Sequence, residues 1–438
     1  MGELTTMPKY ESYKDSGVEW LGIVPEHWDL TRIATRFEER RTKVSDKDFP
    51  PLSVTKNGIV PQLSNAAKSN DGDNRKLVKN GDFVINSRSD RKGSSGVADR
   101  DGSVSLINIV MEPKNIVPKY CEYLLKSYNF IEEFYRMGHG IVADLWTTRY
   151  DEMKAVTVSI PPTVEQTAIA NFLDKKTAQI DEAIAIKEKQ IELLKERKQI
   201  IIQQAVTQGL NPDAPMKDSG VDWIGEIPEH WDISKVRYLG TTQNGISAGA
   251  EYFGSGFPFV SYGDVYKNRE LPSKVNGLAK SSTNDRKQYS ILESDILFTR
   301  TSETAEEIGF ASICIKTIKD STFAGFLIRF RPTNRLFKGF SKYYFNAAMM
   351  REYFVKEMNL VIRASLSQEL LKNLTVLLPS LEEQEIIFNY LENETGKIKD
   401  AIDIQKQQIE KLKEYKTTLI NSAVTGKIKV PEMVTEIS

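Results

Sequence analysis

Two stretches of this 438-residue chain carry the same long pattern of apolar and polar positions. In the first, Ile180, Ile184, Ile191, Leu194, Ile201 and Ala205 follow one another at spacings of four, seven, three, seven and four. In the second, Ile398, Ile402, Ile409, Leu412, Leu419 and Ala423 repeat those spacings. Lys, Glu and Gln fill the faces between, so each stretch predicts a long amphipathic helix with a heptad seam. No Pro or Gly falls within 164–208, and only Gly396 interrupts the second run. Each run follows a proline-containing strand end, "SIPPTVEQ" or "LLPSLEEQ", where Thr163 or Ser380 is placed to cap the first turn ahead of Glu and Gln. About forty-five residues of helix span roughly 65 Å. A seam that long needs a partner, and the nearest is its own duplicate. An antiparallel pair is therefore expected, with a module at each end.

Those helices belong to a larger duplication. Residues 13–33, "YKDSGVEWLGIVPEHWDLTRI", match residues 216–236, "MKDSGVDWIGEIPEHWDISKV", at twelve of twenty-one positions with a constant offset of 203. Residues 157–207 match 375–425 at an offset of 218. Between the copies the chain differs, apart from a faint echo of "GDFVINSR" (81–88) in "SDILFTRT" (294–301). Short apolar strand-like runs and helical runs such as "KYCEYLLKSYNFIEEFYRM" make each variable stretch a compact α/β domain. The expected order is a leader clasp at 1–33, a variable module at 34–156, and a constant region with a long helix at 157–215. A second clasp at 216–236, a second module at 237–374 and a second constant region at 375–438 complete it. The missing third clasp stands at the N-terminus, so the two ends should meet around a pseudo-two-fold axis. The fold class is α+β, two α/β modules separated by an antiparallel pair of long helices.

Composition narrows the chemistry. Apolar residues at 40% and aromatics at 9% describe a folded chain, and 59 basic against 60 acidic side chains leave almost no net charge. Two cysteines exclude a disulfide framework and a cysteine-built zinc site, and they suit a reducing cytoplasm. No run is apolar enough for a membrane span, so a soluble cytoplasmic protein is expected. Phosphate-loop, dinucleotide, zinc-protease and serine-hydrolase motifs are missing, and no metal is expected.

The doubled "PEHW" admits two readings. His27 and His230 as paired bases or ligands would need a recurring nucleophile or carboxylate at suitable spacing, and none recurs. The other reading is a turn-rich clasp in which Trp20, Trp28, Trp223 and Trp231 bury their rings while Pro25 and Pro228 fix the bend, by internal packing or against a partner. In the first module, residues 75–100 hold seven basic and three acidic side chains. There Arg88, Ser89, Arg91 and Lys92 are candidates for phosphates or guanine edges, joined by Lys56, Asn57 and Arg149. The second module offers Ser261, Tyr262, Arg300, Thr301, Ser302 and Arg363. Near-zero net charge argues against a free-standing tight DNA binder and favours a basic partner.

Taken together, the doubled "KDSGV" to "PEHW" segment, "IPPTVEQTAIANFLD", "LPSLEEQEIIFNYLE" and the helix ends "QQAVTQGL" and "NSAVTGKI" closely resemble the specificity subunits of type I restriction–modification systems. The resemblance covers essentially the whole chain. It implies two target-recognition domains, each reading one half of a split site on double-stranded DNA, with the helices as a ruler. It also implies constant regions that bind two modification subunits, and separate restriction subunits. The chain itself would be non-catalytic and without cofactors, S-adenosylmethionine, ATP and Mg being bound by those partners. The rival reading is a coiled-coil adaptor with two unlike protein-binding heads.

Overall fold

The computed structural model describes residues 7–64, 72–140, 146–301, 308–358 and 365–431. The two seams are helices Thr163–Gln208 and Leu381–Val424, of 46 and 44 residues. At 1.5 Å per residue they are about 69 and 66 Å long. The Ser380 hydroxyl caps the second by accepting from Glu383 N at 3.1 Å. Thr163 does not cap the first. It lies inside the opening turn, and the carbonyl of Pro162 accepts from Gln166 N instead.

The chain separates into two compact units, residues 1–187 with 406–438, and residues 188–405. Each long helix contributes to both. In the first unit Ile169, Leu173 and Ile180 pack with Leu419, Ala423 and Val424. The direction is antiparallel, since Lys416 Nζ reaches the Asp181 carboxylate at 2.7 Å and the later Lys187 reaches the earlier Gln408 at 2.5 Å. In the second unit Ile202, Ala205 and Val206 share a core with Ile387 and Leu391. Here Ile202, 1% exposed, takes the inward place expected of Ile201, which is half-buried. A 3.6-residue turn drifts against a seven-residue repeat, and by the last heptad the seam has moved one position.

Each unit hangs one α/β module on its part of the helices, and the two modules each have a four-stranded sheet of the same order. In the first the strand order is Ser95–Val97, Phe83–Asn86, Asn108–Pro113 and Phe37–Glu39, every neighbour antiparallel. In the second it is Ala311–Ile313, Ile296–Thr299, Leu327–Pro332 and Gly240–Asn244, again antiparallel. The echo at 81–88 and 294–301 is the central strand of both. It enters through the same left-handed turn, Gly81 at φ 91° and Ser294 at φ 72°. A buried aspartate follows in each: Asp82 pairs with Arg40 at 2.7 Å, and Asp295 with Arg331 at 2.6 Å. A buried carboxylate must be paired, and the cation comes from different places: Arg331 lies on the neighbouring strand Leu327–Pro332, whereas Arg40 stands just past Phe37–Glu39, one strand further away.

The remaining elements join module to frame. Strand Asp29–Arg32 pairs with Thr157–Ile160, and Asp232–Lys235 with Thr375–Leu378, so each module is closed at its two chain ends by a two-stranded ribbon. Hairpins Tyr13–Asp15 with Ile23–Pro25, and Met216–Asp218 with Glu226–Pro228, form the clasps. In the first unit the ends of the chain meet. Lys429 N donates to Pro8 O at 2.7 Å, and Lys427 Nζ to Leu21 O at 2.7 Å. No helix among the described residues is long and apolar enough to cross a membrane.

Candidate nucleic-acid interface and the clasps

Trp28 and Trp231 are fully buried. The indole N–H of Trp28 donates to Glu165 Oε1 at 3.2 Å, and His27 Nε2 lies 2.9 Å from Glu165 Oε2. In the second unit Trp231 donates to Glu383 Oε1 at 3.0 Å, with His230 Nε2 2.9 Å from Glu383 Oε2. Both glutamates stand in the first turn of a long helix, where a carboxylate also suits the helix dipole. Tyr10 gives its hydroxyl to Glu165 as well, and burial with that carboxylate holds it well above the usual tyrosine range, a permanent donor. Pro25 and Pro228 are buried beneath the tryptophans. Gly426, at φ 70° just past the second helix, lies where a Cβ would meet Pro25 Cγ at 2.5 Å and Trp28 at 3.3 Å. Gly209, at φ 74°, occupies the same place over Trp231. Each clasp thus locks the start of one long helix to the end of the other. Trp20 packs edge-on to Phe130 at 6.1 Å, and Trp223 lies 5.1 Å from Tyr353.

The residue after each glutamate holds the module. Gln166, 2% exposed, accepts from Val117 N at 2.8 Å and donates to Pro161 O at 2.9 Å. Gln384 accepts from Phe337 N at 2.7 Å and donates to Pro379 O at 2.9 Å. Both sit in the duplicated "EQ" pair, which is legible as a repeat.

In the first module, loop 88–92 meets the segment before the short helix Tyr150–Met153. Arg88 bridges Thr147, Ser89 N donates to Trp146 O at 3.1 Å, and Thr148 N donates to Ser87 O at 3.0 Å. This gathers Arg88, Ser89, Arg91, Lys92 and Arg149 on one loop cluster. The basic excess of 75–100 is mostly paired, however. Arg75 is buried on Ser103, Lys79 pairs with Asp101 at 2.7 Å, and Arg100 pairs with Asp99 at 2.7 Å. Lys92 is held by Glu132 at 2.7 Å. Arg88, Arg91 and Arg149 remain exposed. Lys56 and Asn57 lie apart from this cluster, at the tip of hairpin Leu52–Thr55 with Gly58–Pro61, and line a cleft against the helical frame.

The second module repeats the junction: Thr301 bridges Ser365, and Leu366 N donates to Arg300 O at 2.8 Å. Arg300 is half-buried, with Nη1 3.4 Å from Gly325 O. Phe326 stands beside it, 64% exposed, its carbonyl accepting from Arg300 N at 2.9 Å. Composition gave no reason to choose it. Ser261 is engaged as the cap of helix Tyr262–Lys267, its hydroxyl 2.7 Å from Asp264 Oδ2, and Tyr262 stacks on Tyr266. Ser302 and Arg363 lie outside the described residues.

Residues 228–414 match the family model of the type I restriction modification DNA specificity domain. The specificity subunit of the type I restriction enzyme MjaVIII from Methanocaldococcus jannaschii is 25% identical over 94% of this chain and 95% of its own. That of EcoKI from Escherichia coli K12 is 26% identical over 54% of this chain and 50% of its own. Among solved structures, a chain from a study of complex assembly and conformational transition of the type I R-M system superposes with a TM-score of 0.68. It is 16% identical and covers 92% of this chain and 98% of its own. The HsdS subunit from Thermoanaerobacter tengcongensis gives 0.55 at 16% identity over the same shares.

Proposed function

We propose that the chain is a specificity subunit of a type I restriction–modification system, the class to which its family match and its relatives point, and that its two modules read the two halves of one asymmetric, split DNA site. The observation that carries this reading is a shared sheet with unshared loops. The central strand, its entry turn and its buried aspartate are the same in both modules. The loop cluster at the strand's far end presents Arg88 and Arg91 in one and Arg300 with Phe326 in the other. Arginine suits guanine edges and phosphates alike, and unlike loops read unlike half-sites. The chain acts as a non-catalytic subunit, the part that the name "specificity subunit" gives its relatives.

The long helices set the spacer. Recognition elements that enter successive major grooves on one face of B-DNA lie roughly 34 Å apart, a distance within the length of either helix. The duplicated clasp and helix faces, where Leu193 and Ile200 are half exposed, receive two modification subunits, whose cations make up for the chain's neutrality. Restriction subunits join that assembly.

Footprinting of the chain with a modification subunit tests this. Two protected half-sites around an unread gap are expected. Adding one heptad to both helices, about 10 Å, should change the tolerated gap and leave both halves alone. Altered half-sites would contradict the ruler, and a DNA-blind assembly would favour the adaptor.

A further inference from the structure

The strand pairing of the two sheets sets one module in register with the other. At the end of the central strand Asn86 faces Asn108 in the first, and Thr299 faces Leu327 in the second. One step further out, Ser87 and Ile107 therefore correspond to Arg300 and Phe326. The same main-chain bond joins each pair: Ser87 N donates to Ile107 O at 3.4 Å, and Arg300 N to Phe326 O at 2.9 Å. The side chains differ in kind and in exposure. Ser87 is buried and Ile107 half-buried, whereas Arg300 is half-buried and Phe326 is 64% exposed. The same sheet end is thus built in the first module without an aromatic at its surface.

The ring is presented by a fixed turn. Ala324 N donates to Val260 O at 3.0 Å, Gly325 N to Ile246 O at 2.8 Å, and Leu327 N to Ala324 O at 3.0 Å. Ala324 and Leu327 are buried on either side, and a side chain on Gly325 would collide with Ser247. No aromatic ring packs on Phe326 among the described residues. One exposed apolar side chain is ordinary on a protein surface. This one stands beside a guanidinium that no carboxylate holds among the described residues. Arg300 Nη1 lies 3.4 Å from Gly325 O, and its Nε, shielded from solvent, has no hydrogen-bond partner there.

In the major groove the 5-methyl of thymine is the apolar group on a base edge, and guanine O6 and N7 are the acceptors that suit arginine. A ring and a guanidinium on adjacent strands, joined by one main-chain bond, match those two groups on neighbouring base pairs. Wedging the ring between bases would break their stacking, whereas a methyl contact leaves the duplex intact. We propose that Phe326 packs on the 5-methyl of a thymine in the half-site read by the second module, next to a guanine held by Arg300. The proposal deepens the DNA reading above and rests on it. The first module, with Ser87 and Ile107 in these places, lacks the ring and guanidinium pair.

The test uses the full chain assembled with modification subunits, and DNA in which each thymine of the site is replaced in turn by deoxyuridine. That exchange removes the methyl and nothing else. Losing one buried methyl weakens binding about fourfold, so one replacement should do this to the unaltered assembly. Phe326→Ala should bind the thymine DNA at least as weakly as that and be indifferent to the same replacement. Its melting temperature should match that of the unaltered chain, because the ring packs on nothing. If every replacement is neutral while specific binding is retained, the methyl contact is wrong and the DNA reading stands. If Phe326→Ala still loses about fourfold at the sensitive thymine, another residue reads that methyl and the assignment is wrong. If Phe326→Ala no longer assembles with modification subunits, the ring is a protein contact and the proposal falls. Failure of the unaltered assembly to bind DNA would overturn both readings.

Discussion

Glu383 accepts the indole N–H of the fully buried Trp231 at 3.0 Å. Its other oxygen meets His230, whose side chain is 57% exposed. One carboxylate therefore serves a buried donor and a solvated one, and the two contacts differ in energetic weight. Removing the acceptor of a buried N–H costs that group's desolvation, while an exposed ion pair adds little.

Glu383→Ala should destabilise the second unit by about 1–3 kcal/mol, whereas His230→Gln should stay within about 0.5 kcal/mol. Urea unfolding of the full chain reads both. Equal losses would restore a special part for the histidine.

Cys121 and Cys314 are both free and buried. Burial pushes the Cys314 thiol up to about 12, with the Asp295 carboxylate adding to it, and pushes Cys121 well above its ordinary value. A raised thiol pKa leaves little thiolate: at pH 8 about one Cys314 in ten thousand is ionised. Native protein should resist iodoacetamide at pH 8 and take up two labels only after denaturation, read by intact mass. Rapid labelling of the native chain would contradict the packing around these residues.

On the proposed reading, substitutions at Arg88 and Ser261 distinguish DNA readout from scaffold. Arg88→Ala removes an exposed guanidinium at the loop junction and should cost about 1–3 kcal/mol of specific binding, relaxing choice at one base. Ser261→Ala removes a helix cap and should cost about 1 kcal/mol of stability with base preference unchanged. Binding to a panel of single-base variants distinguishes them. A specificity change from Ser261→Ala would return that hydroxyl to the interface.

Periodicity made the frame legible, because a seam repeated at identical spacings has few alternative folds. The clasps were legible as repeats, and burial of Trp28 and Trp231 followed from their type. What could not be read was which partner each polar residue finds. Glu165 and Gln166 look like a first-turn pair, yet they reach Trp28 and Val117 across 137 and 49 residues. The basic run at 75–100 has the same limit, since sequence counts charges and folding pairs them. Asp99, Asp101 and Glu132 pair with Arg100, Lys79 and Lys92, cations that composition counts as excess. Phe326 went unnoticed because exposure belongs to the turn that carries it, not to phenylalanine.

The central claim is that one duplicated frame presents two unlike readers to one DNA. Mapping methylated adenine across the genome of a host that expresses this chain with a modification subunit tests it most directly. The account predicts one asymmetric motif in two parts with a fixed gap. A continuous or palindromic motif, or no new methylation from an assembled soluble complex, would contradict it.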